Sequence, residues 1–232
     1  MIRRVVLLVG VLGLLGGCAT VKQPTPSDPY ERFNRSMYQV HLTLDKAIKP
    51  AAQVYDERVP LPVKAGLGSV FANAGDLWIG ANNLMQGKPS DAGSDLGRFL
   101  INTTLGIFGL FDVASEMGFE KHDEDLGQTL ATWGVGDGGY LFLPLMGPRS
   151  LRDGGGWIVD LRADPLFSDV RDMAVRNSLI GVKALQLRAS LLPTDEILEE
   201  ATDDPYSYIR EAYLQRRNYL IHDGNLPPDD NN

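Results

Sequence analysis

Apolar side chains recur at helical spacing through most of this chain. After Asp28-Pro29, the residues Phe33, Met37, Val40, Leu44 and Ile48 step by three and four as far as Pro50, which is the period of one helix face. The pattern predicts an amphipathic helix that stops at that proline. Pro60 and Pro62 then precede a short helix carrying Val63, Leu67, Val70 and Phe71 on one side. Asp76 is expected to cap a further helix, LWIGANNLMQ, ended by Gly87. Ser90 is expected to cap the next, which carries Asp91 and Asp95 at its front and turns apolar after Arg98.

Between Pro165 and Pro193 lies the longest predicted helix, with Leu166, Val170, Met173, Asn177, Ile180, Ala184, Leu187 and Leu191 along one row. A short segment follows Thr194. The last helix is expected from Pro205 to about His222, with Gly224 as its stop, and it holds Tyr206, Tyr208, Tyr213 and Tyr219. Asp-Pro pairs at 28, 164 and 204 suit helix starts, with Asp as N-cap and Pro in the first turn. These elements amount to a mainly α fold, taken as a single domain over 28–224, with a polar, proline-rich tail at 225–232 expected to be disordered.

One stretch departs from this grammar. Residues 121–156 carry glycines at 127, 134, 136, 138, 139, 147 and 154–156, which weaken a helix and allow close backbone approach. Segments without charge also recur. Phe99–Phe111 has thirteen such residues, and 77–87, 126–136 and 138–148 are similar. At about 1.5 Å rise per residue each would reach across one leaflet of a hydrocarbon core about 30 Å thick, not two. Any one of them alone reads as an ordinary core segment.

The N-terminus changes that balance. Arg3 and Arg4, the apolar run Val5–Leu15 and the small residues Gly16 and Gly17 form a secretory leader over 1–17, directly before Cys18, the chain's only cysteine. This order resembles a bacterial lipobox, with Cys18 becoming the acylated first residue and 18–27 a tether. The alternative is an ordinary leader with an incidental thiol. Several acyl chains anchor a protein stably, at about 0.8 kcal/mol per buried CH₂. With a lipid anchor, four leaflet-length segments point to a protein seated partway into a membrane. Loss of the leader removes two arginines and moves the formal charge from -8 to -10, which argues against nucleic acid as a partner and against a polybasic grip on anionic lipid.

Motifs for chemistry are sparse. Gly134, Gly136 and Gly139 match G-x-G-x-x-G, but without the strand before and helix after that a dinucleotide loop needs. His122, Asp123, Glu124 and Asp125 are adjacent and diverge, so a solvated loop is expected there rather than a metal site. No nucleophile elbow or zinc-protease motif occurs. No bound metal or cofactor is expected. What remains is a mixture of aromatic and charged residues in apolar surroundings: Asp125, Trp133, Asp137, Tyr140, Phe142, Arg149, Arg152 and Asp153. An opening lined this way would suit phospholipid, whose headgroup needs polar partners while its tails do not. The plainer reading is a glycine-rich surface loop pinned by an Arg–Asp pair. Phe99, Phe108, Phe111, Tyr206 and Tyr213 are the residues expected to face membrane or a partner protein.

Several blocks carry a resemblance: DPYERFNR at 28–35, NNLMQGK at 82–88, GRFLINTTLGIFGLFDVASEMG at 97–118, HDEDLGQTLATWGVGDGGYLFLPLMGPRSLRDGGG from 122, and DPYSYIREAYLQRR at 204–217. In this order they resemble the VacJ/MlaA family of outer-membrane lipoproteins over nearly the whole chain. Val40 and His41 stand where relatives commonly carry Phe and Asn. The resemblance implies a helical ring in the inner leaflet of the outer membrane around an amphipathic channel. It implies removal of mislocalised phospholipid from the outer leaflet and delivery to a soluble periplasmic carrier, in association with trimeric porins. It implies transport without catalysis and without a cofactor. A membrane-anchored phospholipid hydrolase and a structural envelope lipoprotein are the alternatives. Charge reversal at Arg149 or Arg152 is expected to impair lipid asymmetry without unfolding the protein.

The Cys18→Ala variant is expected to move from the membrane fraction to the soluble fraction on cell fractionation. Firm membrane attachment of that variant would reject the anchor.

Overall fold

Ten helices and one β-hairpin follow one another through residues 25–226, which the computed structural model describes. The leader, Cys18, most of the tether and most of the tail lie outside the described residues. Helix α1 spans Glu31–Arg58, α2 Leu61–Met85, α3 Pro89–Thr104, α4 Val113–Glu116 and α5 Leu126–Thr132. Strands β1 (Tyr140–Leu143) and β2 (Gly147–Ser150) pair antiparallel, with Tyr140 opposite Ser150 and Leu143 opposite Gly147. Then come α6 (Leu151–Ala163), α7 (Pro165–Ser168), α8 (Met173–Ser190), α9 (Leu192–Ala201) and α10 (Pro205–Ile221).

The mainly α fold agrees with the apolar periodicity, but several boundaries differ for tertiary reasons. Helix α1 runs through Pro50 for 28 residues. Proline costs the helix one hydrogen bond, and α8 holds both sides of the break. Ahead of it Arg188 grips Asp45 at 2.6 and 2.7 Å, and beyond it Ala52 and Tyr55 bury against Ala189. The two short helices expected on either side of Asp76 are one helix, α2, because the Asp76 side chain turns into the protein instead of capping a helix start. The long helix expected from Pro165 to Pro193 is interrupted at 169–172, where the Asp172 carboxylate accepts from Ala174 N and Val175 N and starts α8 anew. The uncharged run 99–111 is not one helix either. It leaves α3 at Thr104 and continues as an irregular loop.

Two groups of aromatic and small residues make the apolar interior. The larger sits where α1, the hairpin and α10 meet and comprises Tyr38, Tyr140, Phe142 and Tyr206, with Tyr38 edge-on to Phe142 at 5.3 Å. Asn34, fully buried on α1, joins helix to hairpin as a third strand would. Its Nδ2 donates to Tyr140 O and its Oδ1 accepts from Phe142 N, both at 2.9 Å, and Nδ2 also donates to Asp28 at 2.8 Å. Arg35, one residue on, fastens α1 to α10 through a bidentate pair with Asp204 at 2.8 and 2.9 Å.

Burial is distributed against the usual trend. Leucine, isoleucine and valine are ordinarily among the most buried residues. None of them is fully buried among the described residues, whereas Asp28, Asn34, Asp76, Asn82, Asn83, Asp95 and Arg98 all are. The large aliphatic side chains lie outside, with Leu61, Leu84, Leu100, Leu105, Ile158 and Leu187 each exposed over about half of their surface or more. No described helix is long and apolar enough to cross a membrane. Contacts between elements close on themselves: α1 packs on β1, β2 on α6, α6 on α7, α7 on α8, and α8 back on α1.

Replacing Asn34 with Leu removes three hydrogen bonds and strands a buried backbone donor and acceptor. A loss of about 3 kcal/mol is expected, measurable by urea denaturation followed through helical circular dichroism. An unchanged midpoint would show that the hairpin does not depend on this amide.

Candidate functional site

The glycine-rich stretch is organised by one arginine that lies outside it. Asp125 caps α5, its carboxylate accepting from Gln128 N at 2.8 Å, and Asp153 lies in the first turn of α6, where Ser150 Oγ accepts from Asp153 N. Arg217, on α10, bridges the two. It donates to both Asp125 oxygens at 2.6 Å and to Asp153 Oδ1 at 3.0 Å. Tyr213, one turn earlier on α10, donates to Asp153 at 2.5 Å, and Arg152 adds a third donor at 3.0 Å. Burial alone would raise the Asp153 pKa, but Arg217, Tyr213 and Arg152 outweigh it and hold it below the ordinary value. A Cβ at Gly127 would come within 2.5 Å of Arg217 Nη2 and of Asp153 Oδ1, so only glycine leaves room for this bridge.

That geometry reassigns several residues. Tyr140 and Tyr206 are each 1% exposed. Tyr206 donates its hydroxyl to Asp28, which makes it a core residue rather than the expected membrane or partner contact, and Tyr140 is core rather than lipid path. Tyr213 is half-buried and committed to Asp153. Arg152 and Asp153 are buried in the bridge, so charge reversal at Arg152 would break the fold and not only the function. The Arg–Asp pin exists, between Arg152 and Asp137 at 2.7 Å, but its arginine end is interior. The run 122–125 is no solvated loop. His122 meets the buried Asp95 at 2.8 Å, and Glu124 receives Gln86 and Lys88. Trp133 is exposed and donates to Met85 O at the end of α2. Arg149 makes no ion pair among the described residues and stacks 4.8 Å over Trp157, and burial lowers its pKa. Phe108 and Phe111 are exposed, and Phe99 is half-buried.

A cavity of about 310 Å³ lies elsewhere, between α2, α3 and the loops after α3 and α4. Its α2 wall is small and close-packed: Ala65, Gly68, Ser69 and Ala72, then Asn73 and Asp76. Arg98 and Asn102 of α3 face it, together with Asp112 and Lys121. Arg98 is the hub. It donates to both Asp112 oxygens at 2.9 Å, to Phe119 O at 2.7 Å and to Ser115 Oγ at 3.0 Å, and its Nε stands 3.7 Å from Asp76 Oδ2. Lys121 pairs with the other Asp76 oxygen. Burial would raise the Asp112 pKa, yet hydrogen bonds from Ser115, Asn102 and Arg98 bring it down to about 2. At Asp76 burial wins, and its pKa is raised despite Lys121 and Arg98.

Beside this polar hollow stands the most apolar loop of the chain. Leu105, Ile107, Phe108 and Phe111 are exposed, with Phe108 81% exposed, while Leu110 packs its side chain against Gly66 of α2. Ile107, Phe108 and Gly109 have positive φ (53°, 56° and 82°), a conformation costly for residues with a Cβ and kept only where the surroundings impose it. Here Phe108 N bonds to Thr103 O at 2.9 Å, Gly109 N to Asn102 O at 2.8 Å and Phe111 N to Gly106 O at 2.9 Å. Backbone groups satisfied internally are what an apolar medium demands. Gly109 also lies against Asn73, where a Cβ would come within 2.7 Å of its amide nitrogen. The loop is therefore seated on the cavity wall.

None of the cavity's polar residues was singled out from the sequence as a site. Asp76 was read as a cap and Arg98 as the end of a charged front. The available signal was their place on otherwise apolar helical segments, where an ionisable residue needs a partner.

Known proteins resemble this chain in sequence and in fold. The family model described as MlaA lipoprotein matches residues 26–220. The intermembrane phospholipid transport system lipoprotein MlaA of Escherichia coli (strain K12) is 35% identical, over 94% of this chain and 88% of that protein. The protein of the same name in Haemophilus influenzae is 32% identical, over 91% and 88%. A solved structure reported as "Structural basis for maintenance of bacterial outer membrane lipid asymmetry" aligns with a TM-score of 0.72 at 31% identity, covering 84% of this chain and 99% of that one. With the family model spanning almost all described residues and relatives matching over most of their length, the chain belongs to the MlaA lipoprotein family.

Proposed function

We propose that this chain is an outer-membrane lipoprotein that withdraws mislocalised phospholipid from the outer leaflet and so maintains lipid asymmetry. The observation that carries this reading is the inverted burial: charged and amide side chains gather inside, some of them lining a polar cavity, while many large aliphatic residues lie outside. An apolar exterior suits acyl chains as a solvent, and a polar interior suits a headgroup in transit. The closed circuit of packing through α1, the hairpin, α6, α7 and α8 supports a ring around an amphipathic channel. Cys18 is the lipid anchor on the periplasmic side. Phe99, Phe108 and Phe111 contact the leaflet or a porin partner, and a periplasmic carrier receives the lipid. Trp133, Asp137 and Arg149 border the path. Asp125, Tyr140, Arg152 and Asp153 act behind it, as the frame that keeps it open.

Cells lacking the protein are expected to show several-fold more phospholipid open to externally added phospholipase, restored by the wild-type chain. The Arg149→Glu variant is expected to accumulate in the membrane normally yet restore asymmetry poorly, because a carboxylate there repels phosphate. No change in accessible phospholipid on deletion would sink the reading. Release of fatty acid from labelled phospholipid by the purified protein would favour a hydrolase instead.

A further inference from the structure

The cavity between α2 and α3 has polar atoms left over. Asn73, Asp76 and Arg98 are each more than nine-tenths buried. Each nonetheless keeps one atom without a hydrogen-bond partner: Asn73 Oδ1, and Asp76 Oδ2 and Arg98 Nε, which face each other across 3.7 Å, too far for a hydrogen bond. Buried polar groups in folded proteins are rarely left so, and a cluster of exceptions calls for an occupant. At about 310 Å³ the space is far larger than the roughly 30 Å³ share of one water and sits at the small end of ligand pockets, about 300–1,000 Å³.

The chemistry of the walls narrows the occupant. Two of the orphan atoms are acceptors, a carboxylate oxygen and an amide oxygen, and they call for a group with several donors. The third is a guanidinium N–H, and Lys121, paired with the other Asp76 oxygen, adds an ammonium to the same lining, so an anionic oxygen suits that side. The charged lining residues are Asp76, Asp112, Arg98 and Lys121, two of each sign, so a ligand of zero net charge leaves the balance undisturbed. A primary ammonium has three N–H donors and a quaternary ammonium has none. A phosphoglycerol group has hydroxyl donors but brings a net negative charge. The Leu105–Phe111 loop seated against Asn73 provides an apolar exit for tails.

We propose that this cavity is a headgroup subsite selective for phosphoethanolamine, with Asn73 and Asp76 taking the ammonium and Lys121 and Arg98 taking the phosphate. The proposal rests on the lipid-transport reading and adds a preference among lipids to it. It also gives α2 a role in selection that the glycine-rich stretch does not have.

The test uses the full lipidated protein reconstituted in vesicles holding equal amounts of phosphoethanolamine, phosphoglycerol and phosphocholine lipids with matched acyl chains. After extraction in mild detergent, retained lipid is identified by mass spectrometry. The expected result is retention of the phosphoethanolamine lipid at least about tenfold above either competitor, the scale of one lost charge-assisted hydrogen bond. That preference should collapse in Asp76→Asn. Should Asp76→Asn fail to fold, Asn73→Leu keeps every charge and must also lower the preference. Retained lipid that mirrors the vesicle composition would overturn the subsite while leaving lipid transport standing. A preference that survives both substitutions would overturn its assignment to this cavity. No retained lipid in the wild-type protein would bring down both readings. Soluble glycerophosphoethanolamine that binds by calorimetry without displacing lipid would overturn the membrane source of the ligand.

Discussion

A guanidinium taken out of water costs several kcal/mol unless carboxylates and carbonyls replace the lost solvent. Arg98, Arg152 and Arg217 are all buried here and all met in that way. The partners come from distant parts of the chain: Arg217 near the C-terminus holds Asp125 and Asp153, and Arg98 holds Asp112 while standing near Asp76. Such contacts tolerate little movement, since an arginine that loses its partner leaves an uncompensated interior charge. The glycines at the Arg217 bridge follow from this demand. Gly127 admits the side chains, and Gly156 packs on the Gly127 backbone with no room for a Cβ.

The outward surface is the complement of that interior. With charges inside, α1, α2 and α3 turn leucines and valines toward the surroundings, and the loop after α3 presents Phe108 on a backbone whose amides are already bonded. In water such a surface would invite aggregation, whereas in one leaflet of a bilayer it is matched by lipid tails. On the function proposed above, a half-depth seat and an acyl anchor take the place of a membrane-spanning helix. The same inversion places polar side chains along the interior, where a headgroup crossing an apolar layer would find substitutes for water.

The two polar centres divide the work differently. Around Arg217 the arginines and carboxylates stand within 2.6 to 3.0 Å of one another, which is the behaviour of a brace. Around Asp76 the guanidinium stands off at 3.7 Å beside an open volume, which suits the subsite proposed above. Sequence position did not separate them, since both centres combine arginines and aspartates with nearby glycine. Geometry did: carboxylates at 2.6 Å on one side, a 3.7 Å gap on the other.

Helical spacing and the Asp204-Pro205 start were enough to establish a mainly α chain, because those properties are local and periodic. The blocks around Asn34, Asn82 and Asp125 sufficed for the family. Tertiary structure alone decided that α1 would pass through Pro50, that α2 would ignore Asp76 as a cap, and that YLFL and GPRS would pair as strands, for in each case a partner far away in sequence outweighed the local preference. It alone decided which charges are braces and which line a cavity. An aspartate reads the same in the sequence whether an arginine a hundred residues away reaches it or stops an ångström short, and its chemistry depends on that distance.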